Sequence, residues 1–213
     1  EVTRTVNVVD TSIPEITLAG IATVDIEAGS TYTDDGATAL DNYDGGVTSS
    51  IVTENLVDET TVGTYTVTYN VTDANGNVAV EVTRTINVVD TTIPEITLAG
   101  IATVDIEAGS TYTDDGATAT DNYDGGVTSS IVTENLVDET TIGTYTVTYN
   151  VTDANGNVAL EVTRTINVVD TTIPEITLVG IATVDIEVGS TYTDDGATAL
   201  DNYDGGVTSS IVT

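Results

Sequence analysis

Polar and apolar residues alternate along most of the chain, which is the pattern of β-strands that bury one face. The run at residues 64–72 shows this best, because threonine or asparagine occupies every second position. The apolar face of this run carries Tyr65, Val67, Tyr69 and Val71. β-branched and aromatic residues favour extended backbone, so the run is predicted to be a long strand.

A second long run follows at residues 78–89, with Asn75-Gly76 between the two. Asn-Gly favours a tight hairpin turn, so the two runs are predicted to pair with each other. The apolar face of the second run is predicted to carry Val78, Val80, Val82, Ile86 and Val88. The length of this strand would set the length of one repeat along the strand direction.

Shorter strands are predicted at Glu15–Leu18, Val24–Glu27, Thr31–Ala39 with a kink at Asp35-Gly36, and Val47–Thr53. No stretch has sustained helical periodicity, so essentially no helix is expected. Several short strands separated by Gly and Asn turns are typical of a β-sandwich. The predicted fold class is therefore all-β.

The whole pattern recurs with a period of 80 residues, and few positions differ between copies. Near-identical tandem units of this size are typical of an array of domains. Residues 1–9 are predicted to be the last strand of a preceding repeat. Residues 10–89 and 90–169 are predicted to be complete repeats, and residues 170–213 the first half of a following one.

The predicted linker between repeats, residues 88–94, is very short, and its Pro94 biases Ile93 toward extended backbone. Neighbouring repeats are therefore expected to touch and to form an end-to-end rod. The neighbouring repeats of the same chain are thus the first predicted partners.

Acidic residues outnumber basic ones by 35 to three, and the three basic residues are all arginine. Such a chain repels nucleic acid and anionic membranes, since both require basic residues. No apolar run is long enough to span a bilayer, so no direct membrane insertion is expected in this segment. Cys and His are absent, and no base lies beside a nucleophile, so we predict no enzyme.

The acidity has two readings, a solvated surface suited to high salt or the binding of divalent cations. In a sandwich of this kind, the loop at residues 41–46 and the loop at residues 73–77 meet where the linker enters. Their oxygen ligands suit Ca²⁺, which takes six to eight. The candidate ligands over all copies are Asp10, Asp41, Asn42, Asp44, Asp73, Asn75, Asp90, Asp121, Asn122, Asp124, Asp153, Asn155, Asp170, Asp201, Asn202 and Asp204. The alternative is that Asp and Asn only stabilise turns through their own backbone.

Two further features concern charge inside the repeat. Arg84 lies on the apolar phase of its strand, so it is predicted to pair with a carboxylate, because an unpaired buried arginine is costly. Asp34 and Asp35 form a weaker candidate for a second cation site, which requires the kink at Gly36.

Several motifs together resemble the Ig-like repeat of bacterial surface proteins, a domain also known from a pesticidal crystal protein and allied to hyalin repeats. They are the sequences at residues 90–98, 108–112, 115–119, 143–149 and 153–157. The resemblance implies an immunoglobulin-like sandwich in an exported, extracellular or cell-surface protein without enzymatic activity. Gly63-x-Tyr65-x-Val67 also resembles the tyrosine corner of such domains.

These observations predict a structural stalk or filament segment, stiffened by Ca²⁺ where repeats meet. One alternative is an adhesin module that binds glycan or protein, for which Tyr43 in the 41–46 loop is the candidate contact. Another is a set of accessory repeats in a secreted enzyme. Lateral self-association through strand edges stays open, although the net charge of −12 per repeat opposes it.

Overall fold

The computed structural model describes residues 1–213 and divides into two compact units, Glu1–Thr92 and Ile93–Thr213. Every regular element is a strand, apart from three single turns of 3₁₀ helix. None of these helical turns has the length or apolar character needed to cross a bilayer. The all-β prediction is confirmed, whereas the division at residues 10, 90 and 170 stays a prediction of the sequence period.

The first unit contains seven strands. Its elements are β1 (Glu15–Leu18), β2 (Thr23–Glu27), β3 (Ala37–Asp41), β4 (Gly45–Gly46), a 3₁₀ turn (Thr48–Ser50), β5 (Val52–Asn55), β6 (Gly63–Asn70) and β7 (Val82–Val89). One sheet has the order β1-β3-β4 and the other has the order β2-β7-β6-β5. All pairings are antiparallel except that of β2 with β7.

The second unit repeats this arrangement and then begins it again. Its elements are β8 (Glu95–Leu98), β9 (Thr103–Glu107), β10 (Ala117–Asp121), β11 (Gly125–Gly126), a 3₁₀ turn (Thr128–Ser130), β12 (Val132–Asn135), β13 (Gly143–Asn150), β14 (Val162–Val169), β15 (Glu175–Leu178), β16 (Ala197–Asp201), β17 (Gly205–Gly206) and a 3₁₀ turn (Thr208–Ser210). Its sheets have the orders β8-β10-β11, β9-β14-β13-β12 and β15-β16-β17.

The core lies between the two sheets of a repeat. In the second unit, Ile96 of β8 and Ala119 of β10 pack with Val147 and Tyr149 of β13 and with Ile166 of β14. These residues are 9% exposed or less, and the last three are 0% exposed. The inward alternation predicted for the long strands therefore supplies the fully buried residues of this core, and burial of apolar surface is the main stabilising contribution.

The face predicted for residues 64–72 is confirmed at Val67, Tyr69 and Val71, which are buried. The prediction for residues 78–89 is wrong at Val78 and Val80, which are 58% and 72% exposed. The reason is a change of phase. Ala79 is the buried residue of this stretch, and regular pairing begins only at Val82.

Two shorter predictions also need correction. The strand predicted at Thr31–Ala39 begins only at Ala37, because Gly36 has a φ of 77° and ends the preceding irregular segment. The strand predicted at Val47–Thr53 is replaced by the 3₁₀ turn Thr48–Ser50 and by β5.

Residues 1–9, predicted to be the last strand of a preceding repeat, lie outside any strand. Their counterpart β7 pairs with β2 on one side and β6 on the other. In the first unit, the position between β2 and β6 is therefore filled by β7 and not by residues 1–9.

The tyrosine corner is present in both repeats. The hydroxyl of Tyr65 donates to the backbone carbonyl of Thr61 at 2.9 Å, and that of Tyr145 donates to Thr141 at 2.9 Å. This bond ties the start of β6 and β13 to the preceding loop, as in immunoglobulin-like domains.

Candidate metal centre

Four carboxylates converge at one end of the first unit. Asp10 precedes β1, Asp41 ends β3, Asp44 lies in the next loop, and Asp73 lies between β6 and β7. Each offers an oxygen, and these four oxygens lie within 4.8 Å of one another. Two ligands of one Ca²⁺ lie at most about 5 Å apart, twice the usual Ca–O distance. The spacing therefore suits a shared cation.

The backbone holds Asp41 in place through only one of its two oxygens. Its Oδ1 accepts the N–H groups of Tyr43 at 2.8 Å and Asp44 at 2.9 Å. Its Oδ2 is buried and has no hydrogen-bond partner, and the residue is only 3% exposed. One carboxylate oxygen thus stays unsatisfied inside an acidic cluster, which is costly without a cation.

The neighbouring loop is organised by Asp73. Its Oδ1 accepts the N–H groups of Asn75 at 2.9 Å and Asn77 at 2.7 Å. The Asn77 amide also donates to Oδ2 at 2.7 Å. Asp44 joins the two loops, because its Oδ2 accepts the N–H of Ala74 at 2.9 Å. These residues therefore do stabilise turns, and the same turns orient the carboxylates.

Hydrogen bonds favour the ionised form of two of the four carboxylates, Asp10 and Asp73. The hydroxyl and N–H of Ser12 lower the pKa of Asp10. Burial raises the pKa of Asp73, but the hydrogen bonds from Asn77 and Asn75 outweigh it and lower that pKa. The arginine of the first repeat does not neutralise this charge, because Arg84 pairs with Asp34.

The second unit repeats the arrangement around Asp121, Asp124 and Asp153, whose ligand oxygens again lie within 4.8 Å of one another. Oδ1 of Asp121 accepts N–H groups from Tyr123 and Asp124, while its Oδ2 is buried without a partner. The predicted ligand Asp90 belongs to the first unit, where it is 7% exposed and accepts the N–H of Thr92 at 3.3 Å.

A third cluster lies wholly within the second unit. Asp170 follows β14, whereas Asp201 and Asp204 lie at the end of β16 and in the next loop. Their oxygens also lie within 4.8 Å of one another, and Oδ1 of Asp170 is buried without a partner. Burial, then Asp201, then Glu107 raise the pKa of Asp170.

The candidate amide ligands lie beside the carboxylates in different ways. Asn75 donates to Oδ2 of Asp10 at 3.1 Å, and Oδ1 of Asn42 accepts the hydroxyl of Ser12. A half-turn of the Asn75 amide would exchange its donor for an oxygen. The other three amide candidates are Asn122 and Asn202, which are exposed, and Asn155, whose N–H donates to Asp153 at 2.9 Å.

In the weaker candidate pair, Asp34 with Asp35, the carboxylate of Asp34 is already engaged by other side chains. Asp34 binds Arg84 and accepts the hydroxyls of Tyr69 at 2.6 Å and Tyr32 at 2.9 Å. The predicted ion pair of Arg84 is confirmed. The two tyrosines were missed, although Tyr69 lies on the predicted inward face.

Sequence reasoning also missed Glu27 and Glu107. Each glutamate ends a strand and binds two consecutive threonines of the linker that follows its repeat. Only the recurrence of Thr-Thr after Asp90 and Asp170 could have indicated this contact.

The sequence model of the family described as bacterial surface protein, Ig-like domain, matches residues 16–88 and again residues 96–168. The chain belongs to this family. The two matched ranges contain nearly all of β1–β7 and β8–β14, so the chain is a tandem array of these Ig-like domains.

Two curated relatives are similar over most of the chain. An uncharacterized 81.3 kDa protein of Acholeplasma phage L2 is 34% identical over 186 residues, covering 82% of this chain and 24% of the relative. Hyalin of Strongylocentrotus purpuratus is 31% identical over 211 residues, covering 93% of this chain and 18% of hyalin. The chain thus spans a quarter or less of the curated relatives that it matches.

Solved structures show more distant likenesses. The lipoprotein BT2262 from Bacteroides thetaiotaomicron is 26% identical over 38% of this chain and 40% of its own, with a TM-score of 0.34. The M60 catalytic domain with the CBM51-1 and CBM51-2 domains of Clostridium perfringens ZmpB is 15% identical, covering 87% and 33%, with a TM-score of 0.40. Both TM-scores lie below 0.5, so these likenesses carry no argument for function.

Proposed function

We propose that this chain is a non-catalytic segment of an extracellular or cell-surface stalk or filament. Its Ig-like domains form an end-to-end rod, and Ca²⁺ bound at the start of each repeat stiffens that rod. The observation that carries the calcium proposal is the buried, unpartnered Oδ2 of Asp41 beside three other carboxylates.

A cation resolves the electrostatic problem that this cluster poses. Four carboxylates within contact of one ion repel each other, and burial of Asp41 removes water that would screen them. Lysine is absent from the chain. Oxygen ligands favour hard divalent cations, and Ca²⁺ tolerates the irregular geometry of loop carboxylates better than Mg²⁺.

The position of Asp170 explains how a bound ion would stiffen the chain. Asp170 directly follows the last strand of one repeat, while Asp201 ends β16 of the next repeat and Asp204 lies in the loop after it. An ion held by all three would tie the linker to the loops of the repeat that follows. Extracellular modules bind Ca²⁺ at roughly 10⁻⁴–10⁻³ M, which suits occupancy outside cells.

The test is thermal unfolding with Ca²⁺ or with a chelator, for the full chain and for Asp41→Asn. Glu54→Gln is the control. Glu54 is exposed on β5, and its replacement by glutamine removes one negative charge, as Asp41→Asn does. At 10 mM Ca²⁺ and the affinities above, each site should add about 1.4–2.7 kcal/mol. Asp41→Asn should lose this gain for the first repeat, and Glu54→Gln should keep it.

Small-angle scattering of the same samples measures the length of the chain. Ca²⁺ should lengthen and narrow the distance distribution. A melting temperature and a length that Ca²⁺ leaves unchanged would overturn the calcium part of the proposal, because a filled site must stabilise the folded state.

An adhesive function has one observation in its favour. Tyr43 is 73% exposed and lies beside Asp10, Asn42 and Asn75 around a shallow opening. The equivalent residue Tyr203 lies in the second unit, after the repeat at residues 90–169, and is only 39% exposed. Binding of the full chain on a glycan array, lost in Tyr43→Ala, would favour the adhesin over the stalk.

Lateral self-association is the remaining part of the filament proposal. Strand β5 is an exposed edge in its sheet, which could pair with another chain, while the net charge of the chain, −32, opposes such pairing. Light scattering after size exclusion should therefore give a monomer in chelator. A calcium-dependent increase in mass would support the assembly.

A further inference from the structure

One glutamate of each repeat binds the linker that leaves it. Glu107, the last residue of β9, accepts the N–H of Thr171 with both carboxylate oxygens at 3.1 Å. It also accepts the N–H of Thr172 at 3.0 Å and the two threonine hydroxyls at 2.7 Å and 2.6 Å. A single side chain thus satisfies four donors of two consecutive linker residues.

The same contacts occur independently in the other unit. Glu27, the last residue of β2, accepts the N–H groups of Thr91 at 3.1 Å and Thr92 at 3.2 Å. The two hydroxyls donate to it at 2.8 Å and 2.7 Å. Recurrence in two separate units indicates that the contact belongs to the repeat.

The charge of Glu107 is stable in this setting. The hydroxyls of Thr172 and Thr171 lower its pKa to about 2, so the carboxylate stays ionised at any ordinary pH. Hydrogen bonds to a charged acceptor are shorter and stronger than those between neutral groups. The linker is therefore held without any metal ion.

The position of these threonines connects the contact to the acidic cluster. They directly follow Asp170, whose buried Oδ1 has no partner and which lies with Asp201 and Asp204. Glu107 itself is not among the oxygens that lie within 4.8 Å of one another, so it is not placed as a ligand. It also accepts the amide of Asn202 at 3.4 Å, in the loop of the following repeat.

We propose that Glu107 is a positioning residue, a latch that holds the linker against the preceding repeat and presents Asp170 to the cation site. Glu27 holds the threonines of its own linker in the same way. The latch closes without an ion, whereas its coupling to cation binding rests on the proposed function. Because coupling is reciprocal, cation binding and latch closure should strengthen each other.

The experiment compares the full chain with Glu107→Gln and with the matched control Glu134→Gln. Glu134 is exposed on β12, and its replacement by glutamine removes one negative charge from the same unit. Amide hydrogen exchange at Thr171 and Thr172 is measured first in chelator. Glu107→Gln should speed exchange roughly tenfold or more, as expected for lost charge-assisted hydrogen bonds, and the control should leave it unchanged.

A distance measurement tests the linker directly. Spin labels at cysteines placed on the exposed positions Thr133 and Thr198 report on the two sides of the linker. Glu107→Gln should broaden their distance distribution in chelator. Thr172→Val, which removes one hydroxyl and keeps the glutamate charge, should broaden it less.

A calcium titration of the same exchange rates measures the coupling at this one site. Glu107→Gln should raise the Ca²⁺ concentration for half-maximal protection severalfold, and Glu134→Gln should not. Equal exchange rates and equal distance distributions for Glu107→Gln and its control would overturn the latch. If Ca²⁺ changes nothing in the unmodified chain, the proposed function and the coupling fail, while the measurements in chelator still decide the latch.

Discussion

Replacement of Arg84 by methionine is the sharpest test of how this small sandwich is held together. Arg84 is 1% exposed and forms an ion pair with Asp34. Its guanidinium also donates to the backbone carbonyls of Ile21 at 3.0 Å, Gly36 at 3.2 Å and Ala19. Methionine fills much of the same volume but removes the guanidinium donors to the carboxylate and to the three carbonyls. The carbonyl of Gly36 keeps the N–H of Ala19 as a donor at 2.9 Å.

The cost follows from the burial of the partner. The side chain of Asp34 is only 16% exposed, so it would become a nearly buried charge without a counterion. Removing one member of such a pair costs about 3–5 kcal/mol. The hydroxyls of Tyr69 and Tyr32 still bind Asp34, so we expect the lower end, about 3 kcal/mol. For a domain of this size that lowers the melting temperature by roughly 12–24 °C.

The repeated sequence provides the control within the same molecule. Arg164 forms the same ion pair with Asp114 in the second unit, and Arg84→Met leaves that pair intact. Calorimetry should therefore resolve one transition at a much lower temperature and another near that of the unmodified chain. Arg84→Met combined with Asp34→Asn should recover part of the loss, because the uncompensated charge is gone. A single unshifted transition for Arg84→Met would refute this account of the core.

Three smaller predictions concern the first unit. Gly20→Ala should cost about 1–3 kcal/mol in chemical denaturation, because Gly20 has a φ of 77° and an added Cβ would lie 2.3 Å from an oxygen of Asp35. Tyr65→Phe should cost about 1 kcal/mol, since it removes the hydrogen bond to Thr61, and the same assay measures it. Burial raises the pKa of Asp34, but its tyrosine and arginine partners outweigh burial and lower it. The ionised Asp34 therefore stabilises the fold fully at pH values above its ordinary pKa of 3.8, and this stabilisation is lost as the pH falls through the lower pKa of the folded state. Acid unfolding followed by circular dichroism measures this loss.

Local alternation carried most of the fold prediction. The buried face at Val67 and Tyr69 follows directly from period-two alternation, which survives wherever regular ladders form. Alternation failed at Val78 and Val80, because the phase of the strand changes before Val82, and residue spacing does not reveal such a change. It also gave no indication that Thr48–Ser50 forms a turn.

The sequence likewise predicted one part of the candidate site and not another. The convergence of Asp10, Asp41, Asp44 and Asp73 was predictable, because the topology of the sandwich brings the two loops to the entry of the chain. The unpartnered oxygen of Asp41 was not predictable, since it depends on which oxygen the turn uses.

The sequence by itself determined the all-β class, the period of 80 residues, the acidic loops and the need of Arg84 for a carboxylate. Each of these rests on residue types and spacing, which are local or periodic properties. Only the tertiary structure decided that Asp34 is that carboxylate and that Glu107 holds the linker. These contacts join residues 50 and 64 positions apart, and their partners are chosen by the packing of the two sheets and by the path of the linker rather than by any local pattern.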